Sequence, residues 1–534
     1  MKKTYFRTWV LSLTGILIAG ILFPSCSSKL DIPQHGNVST KETFYTTDEN
    51  VESALANMYL GMQLAHIDYY YCLNSLDGDT WTGGNSRGEN TNLERFNEYT
   101  FDASHEWLER FYKDLYVLLY DANLLTDSVE GTTSYMKSAV AEAQVMRAFA
   151  NFYLVSLWGT APLVDHVLQP DEYRVSNATP EEFWASIEQD LTGAIASGNL
   201  ISKSSKTDRN GSIRITKEFA YALLGKVYLW QGKNREAAEA FDQVIGSGLY
   251  GLWGVDEPGE YEMIHHTVAS NSCESLLAAQ WRNDPTMVWS LPLTTLWISM
   301  ALNHNYFEGS NVDVIPGWGF CVPTKDLYDA FVAEEGEGGY RLCSTIKTPL
   351  QLEEEYGLRL KSGIVHSNEG FFNWKFAVHR CDLAVDFPGF QALEYMNFSY
   401  MRFAEVLLCA AEAHLGAGNQ AKADEYVNRV RSRAKLPEKS GVTLSDIKTE
   451  KRLELCFECV RYMDLIRWGD AQAVLADQGH YVPDFEWNAE TKTGEILEHA
   501  YTNTVYGFKE RNKVLPIPAN ELMVNPNMKQ NPGW

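Results

Sequence analysis

The stretches GKVYLWQGKNREAAEAFDQV at residues 225–244 and AEAHLGAGNQAKADEYVNRV at residues 411–430 align without a gap at a shift of 186. Gly225 meets Ala411, Leu229 meets Leu415, Gly232 meets Gly418, Ala237 meets Ala423 and Val244 meets Val430. Small residues at these places let two antiparallel helices approach closely, so each copy reads as a helix pair.

Outward from this repeat, helical periodicity dominates the chain. Val51, Ala54, Leu55, Met58, Tyr59 and Met62 form one stripe, and Trp107, Phe111, Leu115, Leu118, Leu119 and Ala122 a second. A third runs from Met136 through Val140, Ala143, Met146, Ala150 and Tyr153 to Leu157, ending at Gly159 and Pro162. The fourth opens at Thr179 with Pro180 behind it and Glu182 to complete a capping box. Leu224, Gly225, Tyr228, Ala237 and Phe241 keep tetratricopeptide spacing, but the copies lie too far apart for an unbroken array. The expected fold is therefore mainly α, with tetratricopeptide-like helix pairs forming a scaffold packed against a loop-rich region with short strands. That region is 251–400, rich in Gly, Pro, Asn and Trp. Helical parts over 26–250 and 401–534 flank it. Ordered loops of such length are usually functional, because fixing them costs entropy that a plain connector avoids.

The 534 residues contain 45 Lys and Arg against 70 Asp and Glu, a net charge of −25, which repels phosphate backbones and excludes nucleic acid as a partner. The start reads as an export signal: Lys2, Lys3 and Arg7, an apolar run from Trp9 to Phe23, then Pro24, Ser25 and Cys26. Fifteen apolar residues are too few to cross a bilayer core of roughly 30 Å. Cys26 stands where a bacterial lipobox places the thiol that takes a diacylglyceryl group. Cleavage of 1–25 would remove three cations and no anion, leaving 42 basic and 70 acidic residues, net −28.

Few motifs point to catalysis. Gly84-Asn85-Ser86-Arg87-Gly88 fits G-x-S-x-G, but loop composition on both sides denies it the strand and helix of a nucleophile elbow. His265 and His266 are adjacent and point apart, and neither H-E-x-x-H nor an EF-hand loop occurs, so no metal or cofactor is expected. Cys456 and Cys459 form a C-x-x-C without a second pair, which reads as two small residues on one face of a buried helix. Glu458, Arg461 and Asp464 stand at i, i+3 spacing, which reads as helix-supporting ion pairs.

Tryptophan is the residue that rises above background. Of 15 in the chain, Trp281, Trp289, Trp297 and Trp318 fall within 281–320, interleaved with Arg282, Asn303, His304, Asn305 and Tyr306. Sugar rings offer an apolar C–H face and a hydroxyl edge, which flat aromatics and amides suit. A second aromatic and polar loop holds Asp77, Asp79, Trp81, Asn85 and Arg87. The expected ligand-binding residues are Trp81, Arg87, Trp281, Trp289, Trp297 and Trp318, with no catalytic residue.

Four stretches carry a family resemblance: EAQVMRAFANFYLVSLWGTAPLV at 142–164, LELCFECVRYMDLIRW at 453–468, VLPIPANELMVNPNMKQNPGW at 514–534, and Leu30-Asp31-Ile32-Pro33 shortly after Cys26. With the helix pairs they make the chain resemble the SusD/RagB family of surface lipoproteins of Bacteroidetes. The resemblance implies a lipid-anchored, surface-exposed outer-membrane receptor without catalytic activity. Such a receptor captures an oligosaccharide or polysaccharide and delivers it to a SusC-like TonB-dependent barrel. Peptide capture, as in some relatives, is the alternative, and a surface glycoside hydrolase is a more distant one.

Overall fold

The computed structural model describes residues 41–282, 284, 295–309, 311, 313–384, 394–501 and 505–534. A short helix, Lys41–Phe44, belongs to an amino-terminal unit that ends at Tyr45, and the body of the protein is Thr46–Trp534. Cys26 and Trp289 lie outside the described residues.

Threonines start the long helices of this body. Thr47 caps α1 (Asp48–Ser75), its hydroxyl accepting from the Asn50 N–H, and Thr133 caps α3 (Ser134–Trp158) in the same way. Between them His105 caps α2 (Glu106–Ser128) through Nδ1. The capping box expected at Thr179 and Glu182 opens α4 (Pro180–Ser197). Next come α5 (Lys217–Trp230) and α6 (Asn234–Gly246), then, after residues 247–402, α7 (Phe403–Gly416) and α8 (Gln420–Arg433). The starts of α7 and α8 repeat those of α5 and α6 at the 186-residue shift. Each helix packs on the next, and α6 packs on α7 as if the intervening segment were absent. The result is a stack of four antiparallel pairs.

Close approach within the pairs is a matter of matched volumes. A Cβ at Gly225 would lie 2.6 Å from the Phe241 ring. In the second copy Ala411 replaces the glycine and buried Val427 replaces the phenylalanine, so the added methyl is offset by a smaller partner.

Residues 247–402 hold short strands: β2 (Ser275–Ala279) pairs antiparallel with β5 (Phe398–Arg402), while β3 (Phe320–Pro323) pairs with β1 (Thr80–Gly83), which follows α1. A three-stranded sheet joins β4 (Gly363–His366), β6 (Val482–Asn488) and β7 (Thr493–His499). Around it Trp374, Phe372, Phe485 and Trp487 form a local apolar cluster. The mainly α scaffold with short strands in its loop-rich part agrees with the sequence reading.

The charges after residue 445 are structural, but Glu458, Arg461 and Asp464 do not pair with one another along one helix. α9 (Leu444–Glu454) ends before Glu458, and α10 starts at Arg461 and runs to Trp468. Glu458 instead pairs with Arg402 and Lys375, Arg461 with Asp79, and Asp464 with Lys451 and Arg467. Arg341, Arg402 and Arg433 converge on Glu454. Burial pushes the Glu454 carboxyl upward, but the guanidiniums of Arg433, Arg402 and Arg341 outweigh it and hold it down to about 2. This buried network bolts α8 and α9 to Arg402 of β5 and to Arg341 and Glu274 of the inserted segment. Cys456 and Cys459 occupy the turn between α9 and α10, not a helix face: Phe457 and Cys459 both have positive φ, at 65° and 64°. Both thiols are buried and unpaired.

Candidate functional site: an aromatic cleft

Pro316-Gly317-Trp318-Gly319 shows how the sequence turns one indole toward solvent. A Cβ at Gly317 would run into the Ile298 carbonyl, and one at Gly319, where φ is +70°, would lie 2.7 Å from the Asn303 side chain. The two glycines therefore let this segment press against 298–304, held by Gly317 N–H to Leu302 O, Trp318 N–H to Ile298 O at 2.9 Å and Gly319 N–H to Ala301 O at 2.9 Å. With its backbone fastened, Trp318 is left half-buried and lines a cleft of about 500 Å³. That volume lies within the range of small-ligand sites.

The other wall comes from α1 and α2. Tyr71 stacks on Trp107, their centroids 5.0 Å apart and their planes at 26°. Asp68 takes both Nε and Nη2 of Arg110 at 2.5 Å, and that guanidinium lies 5.9 Å from the Trp107 ring centroid. Leu64, Ile67 and Phe320 supply apolar floor, while Asn90 and Asp114 add polar groups. Burial drives the Asp68 carboxyl up to about 6 against the pull of Arg110, and raises Asp114 as well. The cleft thus offers flat indole surface beside one fixed bidentate ion pair. Such a surface holds a ring with an apolar face by stacking and its polar edge by charge-assisted hydrogen bonds.

Of the six residues expected from sequence, the cleft takes Trp318. Trp297 is fully buried, stacked on Phe376 with its Nε1–H donating to Met396 O at 3.0 Å. Trp81 is also core, donating from Nε1 to Glu369 at 2.8 Å. Both were expected to face a ligand; each instead fills space beneath a loop. Arg87 pairs with Glu98 and Glu94 and lies 4.3 Å over the Tyr501 ring. Trp281 is half-buried beside Trp297, its backbone N–H on Asn397. The two polar loops do meet, yet their amides bind each other: Asn303 and Asn305 both donate to Asn85 Oδ1, and Tyr306 OH donates to Gly84 O.

Trp107, Tyr71 and Arg110 were not among the expected site residues, because Trp107 also fits the core stripe of α2. The signal for them is Asp68, a carboxylate within the apolar run of α1 that needs a cation and finds Arg110. The G-x-S-x-G loop has β1 before it and a helix at Thr91–Asn97 after it, contrary to its loop-like composition. That helix begins five residues beyond Ser86, whose Oγ bonds to no described residue, so the elbow geometry is absent there. Among the described residues the ligand atoms of His266, Cys381 and Asp382 fall within 4.8 Å of one another. Asp382 already accepts from His266 Nδ1, Thr267 N–H, Thr267 Oγ1–H and His379 N–H, which accounts for that grouping without an ion.

Comparison with known proteins rests on both halves of the chain. Residues 299–534 match the family model described as the SusD family, and residues 37–229 match one described as starch-binding, associating with outer membrane. The chain belongs to the SusD/RagB family. A SusD-like protein of Bacteroides ovatus is 28% identical over 85% of this chain and 82% of its own. SusD-like protein P25 of Formosa agariphila is 26% identical over 91% of each. Among solved structures, a laminarin binding SusD-like protein superposes with a TM-score of 0.74 at 27% identity, covering 91% of this chain and 99% of that one. Surface glycan-binding protein A of Bacteroides thetaiotaomicron, solved with laminarihexaose, gives 0.73 at 21% over 91% and 100%, a likeness of fold. Among the described residues no helix is long and apolar enough to cross a membrane.

Proposed function

We propose that this SusD/RagB protein is a non-catalytic glycan receptor whose ligand lies in the Trp318–Trp107 cleft. The carrying observation is the cleft itself, two partly open indoles beside the Asp68–Arg110 pair. Its net charge, one cation against Asp68 and Asp114, favours a neutral sugar over a sulfated or uronic one. The 27% identical laminarin-binding relative supports a β-1,3-glucan as the first ligand to test. An export signal, Cys26 and the outer-membrane association of the amino-terminal family model support lipid anchoring at the outer membrane, with passage of the glycan to a SusC-like TonB-dependent barrel. Peptide capture is the second reading, since the same ion pair suits a backbone amide.

Calorimetry of the soluble form beginning near Ser27 with laminarin and with a peptide pool separates the two. The receptor reading expects laminarin binding that Trp318→Ala weakens, with no change in glucan chain length on incubation. Peptide binding that ignores the indoles, or shortening of the glucan, overturns it.

A further inference from the structure

A second cavity, of about 280 Å³, opens on an adjoining face of α1. We propose that it is a second glycan subsite that receives the far units of a chain whose first units fill the aromatic cleft. This inference rests on the glycan reading above.

Continuity along α1 carries it. Leu64 lines the cleft and Leu60 lines the second cavity, one helical turn apart, and both are exposed, at 37% and 41%. They form an open apolar ridge between the two hollows. The α1 residues lining the cleft are Leu64, Ile67, Asp68 and Tyr71, while those lining the second cavity centre near Tyr59. At 1.5 Å per residue the centres are separated by roughly 13 Å along the helix, more than one sugar ring and within reach of a short oligosaccharide.

The second hollow has suitable chemistry. Its apolar lining includes Leu55, Met62 and Ala278, with exposed Ile213 also against it. Tyr135 offers a half-buried ring with the Arg214 guanidinium 5.2 Å from its centroid. Arg214 donates Nε and Nη2 to buried Glu142, which fixes the fork, and a side-chain hydrogen bond with Tyr135 holds that ring beside it. Tyr59 OH also donates to Glu142 at 2.7 Å, so the polar end is braced before a ligand arrives.

The test titrates laminaribiose and laminarihexaose calorimetrically into the soluble protein and into Leu60→Glu and Ile213→Glu, both changes at exposed positions outside the cleft. The wild type is expected to bind the hexaose at least tenfold tighter than the biose. Each variant should lose about tenfold for the hexaose and stay within twofold for the biose, the latter also showing that the fold is intact. Unchanged hexaose affinity in both variants overturns the subsite while leaving the cleft standing. A wild type that binds neither sugar overturns the glucan reading, and the subsite with it.

Discussion

Replacing Trp318 with alanine separates a ligand platform from a core residue, and the structure sets the size of the effect. A sugar lying on a half-buried indole covers on the order of 60 Å² of its apolar surface, about 1.5 kcal/mol at 25 cal/mol per Å². Ring stacking adds about 1 kcal/mol. The sum, about 2.5 kcal/mol, is roughly a sixtyfold rise in Kd. Stability should barely move, because the ring is already partly solvated and its segment is held by backbone hydrogen bonds to 298–301. A thermal shift of no more than about 2 °C is expected for a body of this size. Trp297→Ala is the internal control: it empties a fully buried site stacked on Phe376 and should cost about 4 kcal/mol in chemical denaturation. The assay is calorimetric titration with laminarihexaose beside a melting curve for each variant. A Trp318→Ala protein that binds like the wild type, or that unfolds as Trp297→Ala does, refutes the assignment of this ring to the ligand.

Asp68 should give the site a pH signature. Burial holds its folded pKa up at about 6, above its unfolded value, so its ionised form is the disfavoured one and its contribution to stability grows as pH falls from 7 through 6. Protonation also loosens the grip on Arg110, so affinity should fall below pH 6, and Asp68→Asn should flatten that step in a titration series. Glu454 behaves oppositely: held down to about 2 by three arginines, it supplies stability above its unfolded pKa that is lost as pH drops toward 2. Glu454→Gln, which leaves buried guanidiniums short of a counter-charge, should cost about 3–5 kcal/mol in denaturant unfolding. Gly225→Ala should cost about 1–3 kcal/mol by driving a methyl into the Phe241 ring, and Phe241→Val in the same chain should recover part of it, as a double-mutant cycle would show.

The scaffold was legible because its signals are local. The shift of 186 that aligns Gly225 with Ala411 in sequence aligns whole helix pairs in space, and the Thr179 capping box stands where its residues placed it. The site was half legible for a physical reason: tryptophan density marks a region of aromatic packing without distinguishing a ring under a loop from a ring on a wall. Trp297 and Trp318 differ through their surroundings, Met396 O and Phe376 for one, the flanking glycines and the 298–304 backbone for the other, and those partners are far apart in sequence. Trp107 was hidden by periodicity, since an edge position of an amphipathic stripe reads as core. Across residues 446–468 charge spacing implied that Glu458, Arg461 and Asp464 neighbour one another on one helix, whereas the turn at Phe457 and Cys459 sends Glu458 and Arg461 to partners on other elements.

The central claim is that an acidic stack of helix pairs holds a carbohydrate without cutting it. One titration reaches it most directly: the soluble wild-type protein, starting near Ser27, against laminarin, with the glucan recovered afterwards and its chain length measured. Saturable binding with the length distribution unchanged is the expected result. No heat of binding from laminarin or any other neutral glycan, or a shortened polymer, contradicts it.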